Sequence, residues 1–123
     1  MFHMITFTRP LPGWRLEDFL QHYRTTHFQL AVQMPLLVGY EQFQILHGAD
    51  GWGTGEAFDG FHSFSVYTFA SRDDAVASFA SPEGQATVAD ANLFMHGPTV
   101  QEAGVTPLQR FSSTDSTGLR SLQ

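Results

Sequence analysis

The chain has neither cysteine nor lysine among its 123 residues. Without thiols there is no disulfide, no thiolate nucleophile and no sulfur-ligated zinc, and a cytoplasmic setting is the simpler expectation. Without lysine there is no Schiff base and no lysine acting as a general base. The six basic residues are all arginine, scattered against twelve acids, and the formal net charge is -6. Nucleic acid needs clustered cations and is not an expected partner. Met1-Phe2-His3-Met4-Ile5 lacks the basic region and long apolar run of a signal peptide, and neither such a peptide nor a membrane span is expected. No His-x-x-x-His pair, acidic cluster at ligand spacing or Gly-x-Ser-x-Gly elbow occurs. Chemistry without a metal or cofactor is the expectation.

What is present is enough apolar material for one domain: 42% of residues are hydrophobic, and twelve are phenylalanine. That many rings suit a walled pocket as well as a plain core. Residues 1–111 are expected to form the domain, with 112–123 a Ser/Thr-rich mobile tail. Residues 2–8 alternate as a strand and stop at Arg9-Pro10-Leu11-Pro12-Gly13. A helix is predicted from Arg15 to Gln33, halted by Pro35, and a strand from Leu37 to His47. Gly48 to Gly60 reads as a flexible flap bearing Trp52, which would cover a ligand or pack. A strand over 61–70, a helix over 72–80 capped by Ser71, a helix from Pro82 to about Asn92 and a strand over 99–105 follow.

This β-α-β, β-α(α)-β order is that of a ferredoxin-like α+β fold, βαββαβ, with a four-stranded antiparallel sheet. The strands are apolar at both parities: Phe64 and Val66 oppose Phe61, Tyr67 and Phe69. Both sheet faces then need cover, and a second copy of the chain in a homodimer is the expected cover of one.

On the first helix, Leu16, Phe19, Leu20, Tyr23, Leu30, Ala31 and Met34 fall on one stripe at 100° per residue, and His27 sits in its middle. A ring that titrates near neutrality is thereby turned inward, where it needs a partner. Tyr23, one turn earlier, lies beside it. His22 falls on the opposite, solvent side near Asp18.

The segment Phe19-Leu20-Gln21-His22-Tyr23-Arg24-Thr25-Thr26-His27, with Met34-Pro35-Leu36 and Gly39-Tyr40, resembles the EthD-like family of the dimeric α+β barrel superfamily, over about residues 3–108. His22 stands where that family often has the first tyrosine of a pair. Leu36 or Leu37 stands where a glycine often follows the proline. The resemblance implies a homodimer with sheets face to face, and in each protomer a cavity between helices and sheet into which His27 looks. Relatives include lactone isomerases, polyketide cyclases, decarboxylases, cofactor-free quinone-forming oxygenases and, more distantly, haem enzymes, so fold alone does not choose a reaction.

Histidine is the side chain suited to acid-base work near neutrality. His27 is the expected general base or acid, with Tyr23 orienting it or polarising a substrate oxygen. His3 and His62 line the pocket if their strand faces point to it, and Tyr40, Tyr67, Phe64 and Trp52 are further candidates for binding substrate. His47 and His96 would flank the pocket or be incidental. The expected function is acid-base catalysis on a hydrophobic aromatic or polyketide-like carbonyl compound, by decarboxylation, cyclisation with dehydration, or isomerisation. The alternatives are a binding or accessory protein to an oxygenase, and a cofactor-free oxygenase on an anthrone-like phenol.

Overall fold

The computed structural model describes residues 1–48, 52 and 56–113. Strands β1 (Phe2–Thr8), β2 (Leu37–Gln44), β3 (Ser63–Phe69) and β4 (Gln101–Val105) form one sheet in the order β2-β3-β1-β4. Every neighbouring pair is antiparallel. With helices after β1 and β3, this is the ferredoxin-like α+β arrangement expected from the sequence.

The first helix runs as α1 (Leu16–His22), a π turn (Tyr23–His27) and α2 (Phe28–Ala31). Two helices follow β3: α3 (Arg72–Ala80) and α4 (Pro82–Phe94). Ser71 and Ser81 cap them, accepting from the Asp74 and Gly84 amides at 3.1 and 3.0 Å. Such caps satisfy amides that a helix start leaves without partners. Gly84 lets the two helices close up, because a Cβ there would stand 2.3 Å from the Ser78 carbonyl oxygen. The expected strand ends shift: β2 stops at Gln44, and a 3-10 turn (Gly97–Thr99) precedes β4.

Alternation along the strands sorts the side chains. Phe2, Met4, Thr6 and Thr8 share the helix-covered face with Ser63, Ser65, Tyr67 and Phe69, whereas His3, Ile5 and Phe7 share the open face with Phe64, Val66 and Thr68. Beneath the helices the core is split. Ala31, Met34, Tyr67, Phe69 and Ala75 form one cluster, and Phe19, Tyr23, Phe94 and Met95 the other. A cavity lies between them, touching Tyr67 on one side and Met95 on the other.

Residues 49–51 and 53–55 of the flap expected between Gly48 and Gly60 lie outside the described residues, as does the expected tail beyond Ser113. Among the described residues no helix is long and apolar enough to cross a membrane.

Candidate active site

On an ideal α-helix, positions five apart diverge by about 140°, which is why His22 is expected on the solvent side. The π turn changes this. Its i→i+5 bonding turns the chain less per residue, so positions five apart draw toward one face. Two carbonyls at the opening receive side-chain donors: the Thr25 hydroxyl donates to Gln21 O and the Gln42 amide to Tyr23 O, both at 2.7 Å. His22 and His27 consequently reach the same residue of α4.

That residue is Asp90, buried on the stripe Gly84, Thr87, Asp90 and Phe94. His27 Nδ1 lies 2.9 Å from Asp90 Oδ2, and His22 Nε2 lies 2.9 and 3.1 Å from Oδ1 and Oδ2. The solvent-side expectation for His22 is thus corrected: its side chain is 23% exposed and bonded inward. A buried carboxylate needs donors, and the two imidazole N–H groups supply them. Facing the acceptor oxygen of Asp90, neutral His27 carries its proton on Nδ1, which leaves Nε2 with the lone pair. Burial pushes the His27 pKa below its ordinary value. The Asp90 hydrogen bond and charge oppose that, and His22 adds to it. Both rings bond to the one carboxylate, and no three His, Asp or Glu side chains among the described residues are arranged to hold a metal ion.

His27 forms part of the wall of the cavity, whose volume is about 390 Å³. The sheet contributes Thr6, Ser65, Tyr67 and Glu102, and the helices contribute Phe79, Thr87, Val88, Ala91 and Asn92. One side is therefore polar and the other mainly apolar. Burial raises the Tyr67 pKa well above its usual value, with the nearby Tyr40 and Tyr23 adding to the effect, so this phenol stays protonated and can donate.

Of the two roles expected for Tyr23, orienting His27 or polarising a substrate oxygen, its contacts bear on the first. Its ring stacks near His27, centroids 6.0 Å apart, but its hydroxyl donates to the Phe64 carbonyl at 3.0 Å and touches Ser65 Oγ. It does not line the cavity; it anchors Ser65, which does. Tyr40 stands behind Tyr67, ring centroids 4.8 Å apart, and its hydroxyl lies 3.4 Å from Ser65 Oγ.

The remaining candidates lie elsewhere. His3 and Phe64 project from the open face, where His3 Nδ1 is 2.8 Å from Thr68 Oγ1 and Phe64 stacks against Phe7 and Phe43. The His62 ring meets that of His47 at 5.2 Å, and His47 Nε2 donates to the Phe61 carbonyl at 2.7 Å. Trp52 is fully exposed. His96 pairs with the Thr99 hydroxyl at 2.9 Å. None of these lines the cavity. What the sequence reading missed is Asp90, although the signal was present: a carboxylate on an apolar helical stripe, three residues after Thr87 and four before Phe94.

Comparison with known proteins places this fold. No curated protein matches the sequence. Among solved structures, an EthD family protein from Bacillus halodurans C-125 has a TM-score of 0.69 at 18% identity, covering 88% of this chain and 100% of that one. A hydroxynitrile lyase from Passiflora edulis also has a TM-score of 0.69, at 17% identity over 90% of this chain and 96% of that one. SnoaB, a cofactor-independent oxygenase from Streptomyces nogalater, has a TM-score of 0.60 at 10% identity, over 89% and 94%. Other neighbours are described as dimeric ferredoxin-like proteins. The EthD domain model matches residues 11–98, and the chain belongs to the EthD domain family.

Proposed function

We propose that the protein is a small enzyme, working without a cofactor, that moves a proton on an uncharged carbonyl or hydroxy-carbonyl compound. The observation that carries this reading is His27: its Nδ1 is tied to buried Asp90 while the ring faces the cavity. Nε2 takes a proton from the carbon beside a carbonyl, or from a hydroxyl, and the imidazolium that forms is stabilised by Asp90. The Tyr67 phenol, which lines the cavity and stays protonated, can donate to the oxygen on which negative charge develops. Return of the proton to another atom isomerises the substrate. Attack by the carbanion on a second carbonyl, followed by loss of water, cyclises it.

Charge narrows the substrate class. The described residues lining the cavity include Glu102 and no arginine, with Asp90 behind His27. A carboxylate substrate would meet negative charge without a cation, which favours isomerisation or cyclisation over decarboxylation. The same base chemistry would serve the cleavage of a hydroxynitrile, which begins with loss of its hydroxyl proton.

An aryl 1,3-diketone and mandelonitrile are suitable probes, followed by NMR for deuterium exchange at carbon and for release of benzaldehyde. The wild-type protein is expected to accelerate at least one, and His27→Gln to lower that rate about 10²-fold or more. Equal accelerated rates in the variant would overturn the role of His27, and no acceleration over buffer by the wild type would leave a binding protein. Oxygen uptake with an anthrone, and no exchange, would replace it with oxygenation.

The proposal includes a homodimer. Phe7, Phe64 and Phe43 form a continuous stack on the open face, an apolar surface suited to a second copy. A light-scattering mass of two chains is expected, and a mass of one would refute this part.

A further inference from the structure

Asp90 takes N–H donors from two histidines, and Oδ2 is shared between them at 2.9 and 3.1 Å. The two rings differ in surroundings. His27 is 2% exposed at the cavity wall, whereas the His22 side chain is 23% exposed and packs against Phe94 and the edge of Trp14. A single carboxylate can neutralise one imidazolium; a second cation on the same oxygens would be close to the first and poorly compensated.

Resting on the reading of His27 as the base, we propose that His22 is a positioning residue for it. By sharing Asp90, His22 limits how much of the carboxylate's charge falls on His27 and keeps His27 neutral at rest, with its proton on Nδ1 and its lone pair toward the cavity. The other charged or titratable groups around His27 are few. Its own helix supplies Tyr23, α4 supplies Asp90, the central strand β3 supplies Tyr67, and β4 supplies Glu102 across the cavity. The phenols stay neutral, so Asp90 and His22 dominate the balance.

The sign follows. If His22 is replaced by an uncharged donor, Asp90 is left to His27 alone, and His27 takes a proton more readily. His22→Tyr supplies such a donor on a ring that keeps the packing against Phe94, and His22→Gln supplies one without a ring. Ring nitrogen and carbon signals of the ¹⁵N-labelled protein, titrated by NMR and assigned with His27→Gln, read this without any substrate.

In the wild type, His27 is expected in the Nδ1–H form, and its titration midpoint is expected to rise by roughly 0.5 to 1 pH unit in both His22 variants. An unchanged midpoint in either folded variant, or an Nε2–H tautomer in the wild type, would overturn the proposal. A merely structural His22 would leave the midpoint in place. Where turnover is measurable, the acid limb of kcat/KM moves upward by the same amount. The two readings fail separately: a shifted midpoint with full turnover in His27→Gln keeps the coupling and removes only the catalytic role.

Discussion

On the helix-covered face of the sheet a histidine meets a carboxylate, whereas on the open face His3 meets a hydroxyl and His62 meets another histidine. The strands supply both faces with similar chemistry: hydroxyls, rings and titratable groups at alternating positions. The difference comes from what packs against them. Helix α4 brings Asp90 against the first helix, and a buried carboxylate converts an imidazole into an oriented base. Among the described residues no carboxylate is bonded to His3, and His47 brings a second base to His62 where an acid would be needed.

Removing the partner on each face should expose the contrast most. Asp90→Ala leaves two imidazole N–H groups without their acceptor, one of them fully buried, and is expected to cost about 3 kcal/mol in urea unfolding. Thr68→Val removes the partner of His3 near the surface and is expected to cost at most about 1 kcal/mol. Equal losses would erase the distinction between the faces.

A smaller effect is expected from pH. Burial lowers the pKa of both His27 and His62, and the His47 charge adds to the shift at His62. The unfolded chain therefore binds protons that the folded chain resists. Stability is full above the unfolded value of about 6.5 and is lost as pH falls toward the folded values. Urea midpoints at pH 7.5 and 5.5 should fall on acidification. His27→Gln should flatten that fall more than His62→Gln, because His27 is the more deeply buried; the reverse order would place the stronger pH coupling on the open face.

Much of this was legible from local pattern. The stripe through Phe19, Tyr23 and His27 has the helical period, and the Ser71 and Ser81-Pro82 starts have cap chemistry, so the helices and the inward histidine follow from spacing. The solvent-side expectation for His22 assumes 3.6 residues per turn throughout, and the π turn opens where Gln42, remote in sequence, donates to the Tyr23 carbonyl. Leu36 is related. It adopts φ 67°, a conformation that costs a residue with a Cβ about 1–2 kcal/mol, and no local pattern announces it.

By itself the sequence determined the alternation of the strands, the order of the elements and the burial of His27, because each depends on neighbours within a turn or a pleat. Only the tertiary structure decided which strand face meets the helices, and so set Ser65 and Tyr67 in the cavity and His3 and His62 outside it. It also joined His22 to His27 through Asp90, 63 residues beyond His27. A hydrogen bond across that span has no local signature, since both partners must first be carried to one place by the packing of two helices.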